Sequence, residues 1–174
     1  MLESGEGEYF VMTKTEKFKL IETFIIENQE SHYRLAYSYV RNKENALDIV
    51  QEAIIKALQS IDRLDEIKYL KTWFYRILVN TSIDFIRKHR RVLVMDDEIL
   101  GGYLPQTEDE QIDMDLLDAL DALSAYEKSL IILRFFEDLK IEEVATVLGE
   151  NVNTIKTKLY RTLRKLRIEM GEEI

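Results

Sequence analysis

Apolar residues recur at helical spacing along most of this 174-residue chain. The clearest case is residues 46–61, where one stripe comprises Leu47, Val50, Ile54, Ala57, Leu58 and Ile61. The same periodicity predicts helices at 14–41, 70–89, 113–123, 125–137, 141–148 and 152–169. Six glycines and one proline leave few helix breakers, so the pattern predicts an all-α protein.

The longest interruption of this pattern is residues 92–112, which contain Gly101-Gly102, the only proline and many acids. We interpret that segment as an acidic flexible linker between two small helical domains. The predicted domains are residues 14–91 and 113–174, and residues 1–13 form an N-terminal extension.

The net charge is −9, which by itself argues against a nucleic-acid partner. The charge is segregated, however. Residues 92–127 hold eleven acids and no Lys or Arg, whereas residues 153–168 hold six basic side chains and no acid. A second basic run occupies residues 87–91. Two basic clusters separated by acids indicate two surfaces that face nucleic acid.

Several kinds of chemistry are disfavoured by the composition. The chain has no cysteine and only two histidines, far apart in sequence, so we expect no catalytic residue, no metal site and no cofactor. No nucleophile–base pair or phosphate-binding loop is present, which argues against an enzyme. The N-terminus is unlike a signal peptide and no apolar run approaches the ~20 residues of a membrane span. These features predict a cytoplasmic protein that does not insert into a membrane.

Residues 141–161 have the pattern of a helix-turn-helix. Val144, Ala145 and Leu148 form the inner face of a first helix, and Gly149 is suited to end it with a positive φ. Asn151 can cap the second helix, whose buried face would comprise Ile155, Leu159, Thr162 and Leu166. The opposite face is polar and basic, suited to base edges and phosphates. The alternative is an ordinary helical hairpin with a solvated basic face.

Two helices of the N-terminal domain carry candidate functional faces. The face of 46–61 away from its stripe is acidic and polar with one exposed Ile55, and a simple solvated face is the alternative. In 70–89 the residues opposite the core are Thr72, Arg76, Asn80, Ile83 and Arg87, with Trp73 at the edge. Such a face can bind single-stranded nucleic acid, since Arg contacts phosphates and rings stack on bases. A core Trp beside a basic helix end would look the same.

Three segments carry a resemblance to a known family. They are LAYSYVRNKENALDIVQEAIIKAL, KTWFYRILVNTSIDFIRKHRR and ALSAYEKSLIILRFFEDLKIEEVATVLGENVNTIKTKLYRTLRKLR. In this order they resemble bacterial RNA polymerase sigma factors of the extracytoplasmic-function group, which keep only domains two and four. Within that group their amino-acid sequence most resembles the Bacillus-type sigma-V branch. One departure is Leu123-Ser124, where the family usually has Leu-Pro. A capping box of Ser124 with Glu127 can replace the proline.

The resemblance implies roles for the faces described above. The helix of 46–61 would dock on the coiled coil of the polymerase β′ subunit through Asp48, Gln51, Glu52 and Ile55. The charged loop 63–68 and the following helix would capture the melted −10 element through Arg63, Asp65, Lys68, Trp73, Arg76, Asn80, Arg87 and Arg90. The second helix of the helix-turn-helix would read the −35 duplex through Asn153, Thr154, Lys156, Thr157, Lys158, Arg161 and Arg164.

The predicted function is promoter-specific transcription initiation with core RNA polymerase, including its β flap, and promoter DNA as partners. The resemblance also implies control by an anti-sigma factor, often a membrane-bound one. The alternative is a stand-alone helix-turn-helix regulator of duplex operators, which would need neither the face at 48–59 nor the helix 73–91.

Overall fold

The computed structural model describes residues 12–95 and 114–171, and these contain helices and turns but no strand. The helices are α1 (Lys14–Glu27), α2 (Gln29–Val40), α3 (Lys43–Gln59), α4 (Leu70–Met95), α5 (Met114–Asp121), α6 (Ala125–Ile131), α7 (Ile141–Leu148) and α8 (Val152–Glu169). The predicted linker and N-terminal extension lie almost wholly outside the described residues. The all-α prediction is confirmed, and no helix within 12–95 or 114–171 is long and apolar enough to span a bilayer.

The predicted single helix over 14–41 is wrong, because the chain breaks at Asn28. The Asn28 side chain donates to the carbonyl of Phe24 at 2.8 Å, which satisfies the end of α1 locally. Helix α3 begins at Lys43, earlier than predicted, since Asn42 accepts the amide of Asn45 at 2.9 Å and caps it. Helix α4 continues to Met95, beyond the predicted residue 89.

The buried face of α3 also differs from the predicted stripe. Its buried residues are Ala46, Ile49, Ala53 and Ala57, while Leu47 is 43% exposed. Three alanines allow α2 and α4 to pack closely against α3, so small side chains rather than large ones define the core face here. The periodicity indicated a helix correctly but placed its buried side about one residue away.

One hydrophobic core runs through both halves of the described chain, residues 12–95 and residues 114–171. It joins Leu35, Phe74 and Leu78 of α2 and α4 to Leu130, Val144 and Ile155 of α6, α7 and α8. A smaller cluster of Ile21, Ile61, Leu64 and Leu70 fixes α1 over the loop between α3 and α4. Contacts between α4 and α7, and between α2 and α6, therefore hold the two halves together.

Candidate polymerase and nucleic-acid interfaces

The acidic face of α3 is open to solvent. Asp48, Gln51 and Glu52 are exposed, and Ile55 is 55% exposed beside them. Glu52 pairs with Lys56 at 3.2 Å, while Leu47 adds a second exposed apolar side chain. An apolar patch of this kind, rimmed by carboxylates on a rigid helix, is typical of a protein-docking surface.

Two short 3-10 turns, Ile61–Arg63 and Ile67–Tyr69, form the loop between α3 and α4. Buried Ile61 and Leu64 anchor this loop, and Lys17 donates to the Leu64 carbonyl at 2.8 Å. Arg63, Asp65 and Lys68 remain exposed. Lys68 lies 3.0 Å from Glu66, and that hydrogen bond raises the pKa of Lys68. The loop is thus fixed at its base and charged at its tip.

The predicted outer face of α4 is largely present. Arg76, Asn80 and Arg87 are exposed on it, and Ile83 is half-buried. Trp73 is also half-buried and packs against both hydrophobic clusters, so its ring belongs partly to the core. Placing Thr72 on this face was wrong: it is 9% exposed and donates to the Tyr69 carbonyl at 3.1 Å. Arg90 lies within α4, but its side chain is outside the described residues.

The second candidate DNA surface is a helix-turn-helix with the predicted local geometry. Gly149 ends α7 with φ 68°, and Asn151 caps α8 by accepting the Thr154 amide at 2.8 Å. Ile155, Leu159, Thr162 and Leu166 are the buried residues of α8, as predicted. Ser124 and Glu127 form the predicted capping box at the start of α6, with hydrogen bonds of 3.2 and 3.1 Å. These contacts fix the direction in which α8 leaves the core.

Most predicted side chains of α8 face solvent. Asn153, Lys156, Thr157, Arg161 and Arg164 are exposed, and Thr154 is half-buried. Lys158 differs, because its ammonium contacts both carboxylate oxygens of Glu150 at 3.0 and 3.2 Å and lies 4.6 Å from the centre of the Tyr126 ring. The Lys158 hydrogen bond lowers the pKa of Glu150. Within the free protein, Lys158 thus contributes to packing inside its own half.

Two exposed tyrosines beside these surfaces were missed from the sequence. Tyr69 is 53% exposed at the end of the charged loop, and the Lys68 ammonium lies 5.0 Å from its ring centre. Tyr160 is 73% exposed on α8, next to Arg161. The available signal was a large aromatic residue flanked by basic residues and outside the apolar period. Such rings can stack on bases or pack against sugars.

The two candidate surfaces lie in segments that match known protein families. The profile described as Sigma-70 region 2 matches residues 24–92, and that described as Sigma-70, region 4 matches residues 113–166. The RNA polymerase sigma factor SigV of Bacillus subtilis is 51% identical over 154 residues, which is 88% of this chain and 93% of that protein. This chain belongs to the sigma-70 family. The ECF RNA polymerase sigma factor SigW of the same bacterium is 31% identical over 80% of this chain and 83% of that protein, so the chain is a sigma factor of the extracytoplasmic-function group.

Two solved structures share the fold. The sigma factor RpoE, solved with the anti-sigma factor NepR from Bartonella quintana, superposes with a TM-score of 0.73 at 24% identity, covering 90% of this chain and 99% of that one. CnrH, solved with the cytosolic domain of CnrY, superposes with a TM-score of 0.68 at 17% identity, covering 92% and 94%. The matches to two sigma regions exclude the alternative of a stand-alone helix-turn-helix regulator.

Proposed function

We propose that this sigma factor binds core RNA polymerase and directs initiation by dividing promoter recognition between two helices. Residues 14–91 form the docking and −10 domain, residues 92–112 the linker, and residues 113–174 the −35 domain. The observation that supports this division most strongly is that α4 and α8 each present an exposed Arg-bearing face on an otherwise acidic protein. The protein catalyses no bond change itself, since polymerase supplies the chemistry.

Docking uses the exposed face of α3. Ile55 and Leu47 bury apolar area against the β′ coiled coil, while Asp48, Gln51 and Glu52 form hydrogen bonds and ion pairs at the rim. Because the residues are on a rigid helix, little conformational entropy is lost on binding. The β flap contacts the −35 domain and separates it from the docking domain.

Recognition of the −10 element takes place on unpaired DNA. Arg76 and Arg87 neutralise phosphates, Asn80 hydrogen-bonds a base edge, and Trp73 with the charged loop accepts an unstacked base. The exposed Tyr69 extends this surface by one turn towards the loop. Capture of unpaired bases offsets the energetic cost of melting the duplex.

Recognition of the −35 element takes place on duplex DNA. A helix-turn-helix places the start of its second helix in the major groove, which brings Asn153, Thr157 and Arg161 towards base edges. Lys156 and Arg164 are on the flanks and contact phosphates. Lys158 joins them only if it leaves Glu150.

The protein acts in the bacterial cytoplasm, where polymerase is found, and an anti-sigma factor holds it inactive. Similar proteins have been solved with partners, RpoE with the anti-sigma factor NepR and CnrH with the cytosolic domain of CnrY, which supports such control. Membrane attachment would come from that partner rather than from this chain.

A run-off assay tests the function directly. Purified core polymerase is mixed with this protein and a library of genomic promoter fragments from the source organism. We expect discrete transcripts that are absent with core polymerase alone, with mapped starts that share −10 and −35 elements. A protein that binds duplex DNA but produces no polymerase-dependent transcript would contradict the proposal.

A further inference from the structure

The exposed loop between α3 and α4 is held at both ends by side chains of neighbouring helices. Leu64 is 2% exposed, and residues 65–69 after it are all exposed. The Lys17 ammonium of α1 donates to the Leu64 carbonyl at 2.8 Å. At the other end the Thr72 hydroxyl of α4 donates to the Tyr69 carbonyl at 3.1 Å. The charged tip, which accepts an unstacked −10 base in the proposed function, therefore has a fixed carbonyl at either end.

The stability of α1 does not account for a lysine at position 17. Lys17 ends the first turn of this helix, which starts at a capping box in which Thr13 accepts the Glu16 amide at 3.2 Å. The N-terminus of a helix carries a partial positive charge, so a cation there is unfavourable for the helix itself. The contact with the loop offsets this cost, because a hydrogen bond from an ammonium is stronger than one between neutral groups. Lys17 is therefore explained by the loop that it holds rather than by its own helix.

Apolar packing joins α1 to the same loop and to Trp73. Ile21, one turn after Lys17, is fully buried and packs with Ile61 and Leu64. Trp73 packs against this cluster from α4. The loop and the indole ring are the two parts that enclose an unstacked base in the proposed function. Because both rest on α1, this helix fixes their position relative to each other.

We propose that α1 is a positioning element for −10 recognition, and that Lys17 is the positioning residue through which it sets the shape of the base-capturing loop. Lys17 contacts no DNA and acts through the Leu64 carbonyl. The match to Sigma-70 region 2 begins at residue 24, so residues 14–23 of α1 supply this role from outside the matched region. Loss of the Lys17 ammonium relaxes discrimination at the one −10 position that the loop captures and leaves the other positions unchanged. The inference rests on the proposed function, since it deepens the role given there to the loop.

Three substitutions separate the donated hydrogen bond from charge and packing. Lys17→Met keeps an unbranched apolar stem on a half-buried position and removes the ammonium. Lys17→Arg retains a cationic donor and should keep the native behaviour. Lys19→Met is the matched control, because it removes one positive charge from an exposed position of the same helix. Circular dichroism and thermal melts verify that each variant folds.

The order of the loop is measured by hydrogen–deuterium exchange on the free protein. The amides of Arg63, Leu64 and Tyr69 donate to carbonyls within this segment at 2.9, 3.2 and 3.1 Å, so their exchange reports its local opening. In Lys17→Met these amides should exchange about tenfold faster, as expected when a hydrogen bond from a charged group is lost. Amides in the middle of α4, and all amides in Lys19→Met, should exchange at the native rate. Unchanged exchange of the loop in Lys17→Met would overturn the proposal.

The consequence for DNA is measured with assembled holoenzyme and a pool of single-stranded oligonucleotides randomised over six consecutive positions. Sequencing of the bound fraction gives the base preference at each position. Unmodified holoenzyme, Lys19→Met and Lys17→Arg should enrich one common motif. Lys17→Met should reduce the preference at a single position of that motif about tenfold, the same factor by which its loop is loosened. Its slope of log affinity against log salt concentration should equal the native slope, because no phosphate contact is lost.

Several results would overturn the inference. A loss spread evenly over all positions, with a salt slope lowered by about 0.7, would mean that Lys17 contacts a phosphate directly. A defect in Lys17→Arg as large as that in Lys17→Met would mean that packing of the stem matters rather than the donated hydrogen bond. A native motif retained by Lys17→Met would defeat the inference alone, whereas the absence of any motif with unmodified holoenzyme would defeat the proposed −10 function and the inference together.

Discussion

His32 should make the fold sensitive to mild acid. Its ring is fully buried among aromatic side chains, with ring centres 4.6 Å from Phe74, 5.3 Å from Phe24 and 5.7 Å from Tyr75. Burial lowers the pKa of His32 from its ordinary 6.5 to about 4. A protonated imidazolium would place a charge in this aromatic pocket, so the folded protein keeps the neutral form.

The direction in which stability changes with pH follows from proton linkage. The unfolded chain takes up a proton at His32 as the pH falls through 6.5, whereas the folded chain takes one up only near pH 4. The contribution of neutral His32 to stability is therefore complete above pH 6.5 and is lost as the pH falls towards 4. With these two values the loss between pH 7.5 and 5.5 is about 1 kcal/mol, and by pH 5 it is about 2 kcal/mol.

Urea unfolding at pH 7.5 and 5.5 checks this expectation. Because the carboxylates also titrate in acid, the informative quantity is the difference between the native protein and His32→Leu, an apolar replacement of similar volume. The variant should lose about 1 kcal/mol less stability over that interval. His89→Ala, which retains His32, should still show the fall attributed to His32. Equal losses for native protein and His32→Leu would refute the reasoning.

Three further outcomes follow from the surfaces and caps. Asp48→Lys should weaken binding to core polymerase, measured by fluorescence anisotropy, while changing the unfolding free energy by no more than about 0.5 kcal/mol. The control Glu22→Lys on α1 should change neither quantity. Unaltered polymerase affinity for Asp48→Lys would contradict the docking assignment. Arg161→Ala should cost about 1–3 kcal/mol of binding free energy on the matched −35 duplex only. Lys156→Ala should instead weaken binding to all duplexes alike and reduce the slope of log affinity against log salt concentration by about one. Identical behaviour of the two variants would contradict the division of roles. Ser124→Ala should lower stability by about 1 kcal/mol in urea unfolding, because the α6 capping box is lost, and an unchanged midpoint would show that the cap is dispensable.

Local signals in the sequence predicted local structure well. The turn at Gly149 and the capping residues Asn151 and Ser124 all have short-range geometry that one residue type decides, and each is present. The buried face of α8 also follows directly from its period. Where several helices compete for one residue, period alone was insufficient: Ala46, Ala53 and Ala57 are buried because three helices converge on them, while Leu47 is left outside.

The contact between the two halves could not be predicted from the sequence. Tyr75 is 62 positions from Glu137, and no local pattern marks either residue as a partner of the other. The inward turn of Lys158 has the same origin, because it depends on Glu150 and Tyr126 being brought together by the packing of α6 and α8. The candidate DNA faces were predictable because they comprise the polar and basic residues of α4 and α8 that lie opposite the buried apolar positions.

The central claim is that α4 reads unpaired −10 DNA and α8 reads duplex −35 DNA, and binding by assembled holoenzyme tests it most directly. Once run-off transcription has mapped a promoter, two probes are compared: the single-stranded −10 oligonucleotide of the non-template strand, and the −35 duplex. Asn80→Ala holoenzyme should bind the single strand several-fold more weakly and the duplex normally, whereas Arg161→Ala holoenzyme should show the reverse. The account would be contradicted if both variants weakened binding of the same probe. It would also be contradicted if holoenzyme bound the single strand equally well with and without the Asn80 side chain.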